Sequence, residues 1–209
     1  MMVTEPERKS LHILSGIIPL SIYIMPEWFG FSSWFGFTSR QIVLLILGSF
    51  AVPFIILDVG RRFIPAFRPV FQGIAGHSMR YEEEIHYKIT GASWQFISFW
   101  VVIWFFKPDY AVPACLLLSV SDAAAALVGK KWGKRYWFND HTLIGTSAFI
   151  ISGLLIFIIG YPHLVFWKVI LVVVTTALAE SLLYRINDNF TVPLISAIML
   201  YAVSYTHLR

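Results

Sequence analysis

The sequence predicts an all-α integral membrane protein, built as a bundle of about seven transmembrane helices. Of its 209 residues, 57% are hydrophobic and only 13% are charged, whereas a soluble domain carries about 25% charged residues. The mean hydropathy is +0.70. The apolar residues form long continuous runs, not the alternation that is typical of a transmembrane β-barrel. These observations exclude a soluble enzyme, a disordered chain and a fibrous protein.

Seven apolar stretches approach the roughly 20 residues that cross a bilayer as a helix. In chain order they cover residues 10–26, 41–58, 89–106, 111–129, 142–160, 164–183 and 190–206. The first stretch lacks a small-residue cleavage site, so we expect a retained helix and not a signal peptide. No internal repeat or long linker divides the chain, so residues 1–209 are expected to form a single membrane domain. The connection 59–88 mixes basic and aromatic residues and is expected to lie along the membrane interface.

The distribution of basic residues predicts the orientation of the chain. Twelve of the 16 Lys and Arg residues lie in the N-terminal segment or in the loops after the second, fourth and sixth spans. Because cytoplasmic loops carry the excess of Lys and Arg, we expect a cytoplasmic N-terminus and an external C-terminus, in the plasma membrane if the cell is prokaryotic. The net charge of +4 then reflects these loops and anionic headgroups, so no nucleic-acid partner is expected.

Asp122 is the most informative polar residue, because it lies seven residues before Gly129 at the end of the fourth span. At 1.5 Å per helical residue it is about 10 Å inside the span. A carboxylate at this depth costs on the order of 2.5–3.5 kcal/mol, so an intramembrane acid indicates function. The alternative is a carboxylate that pairs with a neighbouring helix for packing alone. The small residues Ala123–Ala126 allow a helix or a ligand to approach closely.

A cluster of cations follows Asp122 directly. It consists of Lys130, Lys131, Lys134 and Arg135. Taken alone, these residues are explained by the positive-inside rule. Beside Asp122 they indicate a polyphosphate site, in which the acid holds Mg²⁺ and the cations neutralise phosphate. The chain contains neither a Walker A sequence nor a Gly-x-Gly-x-x-Gly sequence.

Further oxygen donors are predicted at the same, cytoplasmic face of the bundle. Glu180 lies near the end of the sixth span, and Asp188 and Asn189 open the seventh. Oxygen ligands from different helices suit a Mg²⁺–nucleotide site, although Asp188 and Asn189 could instead cap a helix. The sequence therefore predicts an active site at the cytoplasmic face.

Together these residues resemble the polyprenol kinase family, which includes dolichol kinase, phytol kinase and the CTP-dependent diacylglycerol kinase. The resemblance covers most of the chain and rests on the order and spacing of Glu7–His12, Asp58 with Arg61, Ile89–Ala92, Ser121–Gly129 with its basic tail, Leu143–Thr146, and Glu180 with Asp188 and Asn189. It implies CTP-dependent kinase activity carried by Arg8, Lys9, Asp122 and Gly129. On this reading the nucleotide is bound by Gly129, Lys130, Lys131, Lys134, Arg135, His141, Gly145 and Asn189, and Mg²⁺ by Asp122, Asp188 and Glu180.

Two segments depart from the family's pattern. The family commonly reads Lys-Ser-Leu-Glu-Gly-Ser/Thr where this chain has His141–Thr146, so that Ile144 replaces a carboxylate. The Asp-Asp-Asn of many relatives is here Asn187-Asp188-Asn189. Each departure removes one potential metal oxygen, which leaves open an altered substrate or a lower activity.

The sequence thus favours a membrane lipid kinase that moves the γ-phosphate of CTP to the hydroxyl of a polyprenol-type alcohol, such as dolichol or phytol. Diacylglycerol also fits as the acceptor. The alternative is a phosphatidate cytidylyltransferase, which shares CTP, Mg²⁺ and a helical bundle. A small transporter is less favoured, since transporter sites usually lie near the bilayer midplane and often in inverted repeats.

Overall fold

A computed structural model describes residues 5–29, 33–34, 36–76, 79–138, 141–183 and 186–205. Within these ranges the chain is mainly helical, with two short antiparallel hairpins. The helices are α1 Glu5–Leu14, α2 Ile17–Phe29, α3 Ser39–Gly60, α4 Phe67–Ala75, α5 Tyr81–Ile85, α6 Gly91–Phe105, α7 Pro108–Leu116, α8 Ala123–Trp132, α9 Leu143–Gly160, α10 Phe166–Leu182 and α11 Asp188–Tyr205. The hairpins pair β1 Ser33–Trp34 with β2 Phe37–Thr38, and β3 Tyr136–Phe138 with β4 His141–Thr142.

Threonine side chains start three of the apolar helices. Thr38, Thr90 and Thr142 precede α3, α6 and α9, and each hydroxyl oxygen accepts a hydrogen bond from the backbone N–H three residues later. This capping satisfies one of the backbone donors that every helix leaves unpaired at its N-terminus. Two of these threonines, Thr90 and Thr142, thereby begin helices whose first turns contribute to the site described below.

The segment Pro108–Trp132 forms the centre of the bundle. It runs from α7 through a π-helical turn, Leu117–Asp122, into α8. Its apolar stretch is 72% buried, against 33% for Ser39–Gly60 and 28% for Leu143–Gly160. Val112, Leu117 and Leu118 are fully buried. Helices α1, α2, α6, α9 and α11 pack around this central segment.

The outer surface of the bundle is apolar. Large side chains such as Phe50, Phe105 and Ile159 are more than 70% exposed, and so extensive an apolar surface is not tolerated on a soluble monomer. Three helices are long and apolar enough to cross a membrane, namely Ser39–Gly60, Pro108–Trp132 and Leu143–Gly160. Gly91–Phe105 and Asp188–Ser204 are shorter apolar helices. An all-α membrane fold is thereby supported, while the count of seven spans and their orientation stay predictions.

The first predicted span, residues 10–26, differs from the structure. It is divided into α1 and α2 by a turn at Ser15 and Gly16. At Gly16 the backbone approaches the central helix so closely that a Cβ would lie 3.2 Å from Cβ of Ser119. The Ser15 hydroxyl also lies 3.2 Å from the hydroxyl of Ser119. The break therefore lets α1 and α2 follow the surface of the central helix.

Candidate active site

The centre of the candidate site is a buried ion pair between α1 and the central helix. Lys9 Nζ lies 2.6 Å from Asp122 Oδ2, and the two residues are only 5% and 3% exposed. His12 lies one turn beyond Lys9 on the same face of α1, and its Nε2 is 3.4 Å from the same carboxylate oxygen. Lys9 and His12 thus both lie next to the carboxylate of Asp122, which is 113 residues beyond Lys9 in the chain.

Asp122 is the last residue of the π-helical turn Leu117–Asp122. A π-helical turn inserts an extra residue into the helix and often occurs at functional sites. Here the turn lies between α7 and α8, so the side chains before and after it follow different helical registers. Ser121, next to Asp122, has a buried hydroxyl that finds no hydrogen-bond partner in the described part of the chain. The sequence carries no signal for this turn, because Leu116–Val128 reads as continuous helix.

The ion pair borders a large cavity of about 1140 Å³, hereafter the main cavity. Of the residues predicted from the sequence, those that line it are Arg8, Lys9, Asp122, Gly129, Lys130, His141, Gly145, Glu180 and Asp188. Nine predicted residues from five helices, the π-helical turn and one hairpin are therefore brought to a single site. This volume suits a ligand of nucleotide size, since small-molecule pockets span about 300–1,000 Å³.

Four predicted nucleotide-binding residues lie elsewhere. Lys131, Lys134 and Arg135 are exposed and outside the wall of the main cavity. Lys131 Nζ instead lies 4.6 Å from the centre of the Trp132 ring. Asn189 donates from its side-chain amide to the carbonyl of Gly91 at 2.9 Å and so ties α11 to α6. The basic cluster Lys130, Lys131, Lys134 and Arg135 begins in the last turn of α8, and of these four described cations only Lys130 lines the cavity.

Three cations that sequence reasoning missed also line the main cavity. They are Arg62, Arg80 and Lys88, all from the connection that was expected only to lie along the membrane interface. With Arg8, Lys9 and Lys130 they bring the basic lining residues to six, against the three carboxylates of Asp122, Glu180 and Asp188. An excess of cations around a polar cavity suits a polyanionic ligand, because each phosphate oxygen needs a charged donor or counter-ion.

A buried network holds this basic connection in place. Asp58 is fully buried, and its Oδ1 accepts from Arg61 Nε at 2.8 Å. Its Oδ2 accepts from the backbone N–H of Thr90 at 2.8 Å and from the Ser93 hydroxyl at 2.6 Å. Arg61 also donates to the carbonyl of Lys88 at 2.8 Å. The paired Asp58 and Arg61 of the sequence are thus the anchor that orders the chain between α4 and α6.

Glu83 and Lys88 complete the order of this connection. Glu83 accepts from the backbone N–H groups of Arg80 and Gly91, at 2.8 and 2.9 Å. Lys88 donates to exposed Glu82 at 2.9 Å, and this hydrogen bond lowers the pKa of the Glu82 carboxyl. These contacts fix the backbone on both sides of the segment that carries Arg80 and Lys88 to the cavity.

Two glycines let α8 and α9 meet closely at the wall of the main cavity. A Cβ on Gly129 would lie 2.9 Å from Thr142 Oγ1 and 3.3 Å from Cα of Gly145. Thr142 Oγ1 itself accepts from the backbone N–H of Gly145 at 3.1 Å. The capping residue Thr142 and two residues at the start of α9, Gly145 and Thr146, all line the cavity. The N-terminus of a helix favours anions, so this turn presents a second source of positive potential to a phosphate.

The three predicted metal-binding carboxylates border the same cavity from different elements. Glu180 is 6% exposed, and its Oε1 lies 3.6 Å from His141 Nδ1. Its Oε2 is buried with no hydrogen-bond partner among the residues described. Asp188 lies in the first turn of α11, and its Oδ1 accepts from the backbone N–H of Asn189.

The arrangement of these carboxylates fits a metal that is bound together with its substrate. The described residues contain no group of three or more His, Cys, Asp or Glu that could hold a metal ion by themselves. Mg²⁺ usually takes only one or two carboxylates and completes its shell with water and substrate phosphates. The unpartnered Oε2 of Glu180, in a cavity shared with Asp188 and Asp122, is consistent with that mode.

Fold and site together define an α-helical membrane protein with a cation-rich cavity of nucleotide size at one intramembrane acid. No family model matches the chain, and no solved structure matches it. It is 27% identical to the CTP-dependent diacylglycerol kinase 1 of Schizosaccharomyces pombe, over 95% of this chain and 93% of the relative. The Saccharomyces cerevisiae protein of that name is 27% identical over 97% of this chain and 74% of the relative. The phytol kinase of Synechocystis sp. is 27% identical over 96% and 80%. These relatives confirm the resemblance to the polyprenol kinase family.

Proposed function

We propose that this protein is a CTP-dependent lipid kinase, which transfers the γ-phosphate of CTP to the hydroxyl of a membrane lipid alcohol. The observation that carries the proposal is the main cavity, where five further cations and two further carboxylates line the wall around the buried Lys9–Asp122 pair. The names of the two CTP-dependent diacylglycerol kinases support the same donor, and these names together with that of the phytol kinase support a lipid alcohol as acceptor.

The proposed mechanism uses charge and positioning. Arg8, Lys9 and Lys130 neutralise the triphosphate, and the first turn of α9 adds backbone donors near Gly145. Mg²⁺ would be held mainly by Asp122 and Asp188, with Glu180 as a further candidate ligand, and would neutralise further phosphate charge and orient the triphosphate. The lipid oxygen then bonds to the γ-phosphorus while the bond from that phosphorus to its bridging oxygen breaks. The electron pair leaves with CDP, and the hydroxyl proton is released to water. Since phosphoryl transfer depends mainly on positioning and electrostatic stabilisation, this scheme requires no dedicated base.

The basic residues that line the main cavity also indicate which side of the membrane the cavity faces. All six lining cations, including Arg62, Arg80 and Lys88, belong to the twelve basic residues on one side of the topology derived from the sequence. We propose that this side is cytoplasmic, so that CTP enters from the cytoplasm and the lipid arrives from within the bilayer.

The acceptor is proposed to be a polyprenol-type alcohol, with diacylglycerol as the second candidate because relatives bear that name. Purified protein should be incubated with γ-labelled CTP and, separately, with dolichol, phytol and diacylglycerol. Transfer of label to one of these identifies the acceptor. If none of them accepts label while CTP still binds, the lipid kinase proposal is wrong.

The reaction type is tested by the position of the label. A kinase places the γ-phosphate on the lipid and leaves CDP, whereas a phosphatidate cytidylyltransferase places CMP on its lipid and releases pyrophosphate. We therefore expect lipid label from γ-labelled CTP and none from α-labelled CTP. Label that enters the lipid from the α position would assign the protein to the cytidylyltransferases instead.

A further inference from the structure

A second, smaller cavity shares part of its lining with the main cavity. Its volume is about 180 Å³, and we call it the side cavity. It lies between α1 and α6, with Leu11 and His12 on one wall and Ala92, Gln95 and Phe96 on the other. Arg8, Lys9 and Arg80 line both cavities. The two spaces therefore meet at Arg80 and at two of the residues that are proposed to neutralise the triphosphate, Arg8 and Lys9.

The walls of the side cavity combine apolar and polar groups. Leu11, Ala92 and Phe96 offer hydrocarbon contacts. Gln95 is 7% exposed and its amide donates to the hydroxyl of Ser15. His12 has a buried Nε2 that lies 3.4 Å from Asp122 Oδ2 and forms no hydrogen bond with any residue the structure describes. A ligand with one polar end and an apolar body matches such a lining, because a buried polar atom is costly until it is paired.

The size of the side cavity excludes a nucleotide. Its 180 Å³ is well below the 1140 Å³ of the main cavity and below the range of about 300–1,000 Å³ usual for whole small-molecule ligands. It can take the end of a long molecule whose remainder lies outside. Leu11, on the α1 wall, is 56% exposed to the surroundings of the bundle, where the bilayer supplies long apolar molecules.

We propose that the side cavity binds the hydroxyl-bearing end of the lipid acceptor, with His12 Nε2 as the hydrogen-bond partner of that hydroxyl. This inference rests on the proposed kinase function and adds the place from which the acceptor approaches. The lipid end enters between α1 and α6 and meets the terminal phosphate beside Lys9. The nucleotide occupies the main cavity. Because Lys9 lines both cavities, the two substrates approach the Lys9 ammonium from different cavities.

Photolabelling tests the site without relying on activity. Two probes are used separately, a prenyl alcohol and a diacylglycerol, each carrying a diazirine near its hydroxyl. We expect at least one probe to label the segment Gly91–Phe96, and the probe that does so identifies the source of the hydroxyl. The same alcohol without the diazirine should compete, whereas its methyl ether should compete poorly because it cannot donate to His12. Labelling confined to other segments with both probes overturns the proposal.

Cavity-filling variants provide the kinetic test. Ala92 lines only the side cavity and Ala126 lines only the main cavity, so Ala92→Leu and Ala126→Leu form a matched pair. Ala92→Leu should raise the KM for the lipid about tenfold or more and leave the KM for CTP unchanged, because misfit in a tight pocket changes recognition by about 10–200-fold. Ala126→Leu should raise the KM for CTP instead. Ala202→Leu, at an exposed position of α11, should change neither.

These experiments separate the two proposals. An unchanged lipid KM in folded, CTP-binding Ala92→Leu overturns the side-cavity assignment and leaves the kinase function standing. A wild-type protein that transfers no phosphate to any alcohol overturns the kinase function, and the photolabelling pattern still decides whether the side cavity binds a lipid hydroxyl.

Discussion

Replacing Asp122 with Asn should abolish activity and also weaken the fold. The sequence alone suggests a change that removes charge and keeps shape, with little loss of folded protein. The structure alters the second half of that expectation, because the partner of Asp122 is Lys9, which is 5% exposed. Asp122→Asn leaves that ammonium buried without a counter-ion.

The size of the effect follows from the burial of both partners. Removing one partner of a buried ion pair costs about 3–5 kcal/mol, because the other charge stays desolvated and unpaired. Asn retains an oxygen that can accept from Lys9 Nζ, so we expect the lower end, about 3 kcal/mol. The double variant Lys9→Met/Asp122→Leu removes both charges. Its loss in free energy of unfolding should be smaller, by about 1–3 kcal/mol, than the summed losses of the two single variants Lys9→Met and Asp122→Leu. All these variants should lose at least about 100-fold in turnover, as when one preorganised electrostatic contact is removed from an active site.

Denaturant unfolding in detergent measures the stability, and transfer of γ-labelled phosphate from CTP to lipid measures the activity. Asp109→Asn is the control, because Asp109 is an acid outside the main cavity that accepts from the hydroxyl of Tyr23 at 2.9 Å. Asn can still accept that bond, so the control should be close to wild type in both assays. Wild-type turnover in Asp122→Asn would falsify the proposed role of this carboxylate. Strict additivity in the Lys9 and Asp122 cycle would contradict the ion pair.

Three further predictions concern topology, packing and metal dependence. In a Cys115→Ala background, single cysteines near Lys130 and near Lys107 should react with impermeant reagents from opposite sides of the membrane, because twelve of 16 basic residues lie on the Lys130 side. Gly129→Ala should destabilise the protein by about 1–3 kcal/mol, as overpacking does, since its Cβ would lie 2.9 Å from Thr142 Oγ1; thermal unfolding checks this. Chelation by EDTA should abolish phosphate transfer and added Mg²⁺ should restore it, because the carboxylates of the main cavity need a bridging cation to hold a triphosphate.

Each of these predictions has a result that counts against it. Labelling of both cysteine positions from one side refutes the predicted orientation. Gly73→Ala, where an added Cβ meets nothing within 4 Å, is the control for Gly129→Ala, and equal stability of the two variants refutes the close contact between α8 and α9. Full activity after chelation refutes metal dependence.

Local patterns in the sequence were sufficient for several of the apolar helices, although they missed the break between α1 and α2 and the π-helical turn before α8. The predicted spans 89–106, 111–129 and 142–160 lie close to the observed Gly91–Phe105, Pro108–Trp132 and Leu143–Gly160. Runs of apolar residues and capping threonines are properties of neighbouring residues, so the chain itself displays them. Depth within an apolar run likewise identified Asp122, because a carboxylate in hydrocarbon is costly wherever the other helices lie.

The partners of the polar residues were decided only by the tertiary structure. From the sequence, Lys168 is expected to be a snorkelling anchor on the external side of the membrane. In the structure it is 7% exposed and donates to the carbonyl of Val203 near the end of α11. Lys131 belongs to the same basic run as Lys130 but turns away from the cavity. The partner of each side chain depends on which helices pack against each other. The hydrophobic periodicity of a single helix contains no information about that packing.

The sequence by itself thus determined the helical membrane architecture, and it identified Asp122 and the residue types from which a polyphosphate site is proposed. Only the folded chain decided that Lys9 pairs with Asp122 across 113 residues, that the anchor of Asp58 and Arg61 brings Arg80 and Lys88 to the cavity, and that a π-helical turn precedes the acid. The physical reason is one of range. Helix formation depends on contacts between residues three and four apart, whereas an ion pair and a cavity wall depend on packing between helices that are distant in the chain.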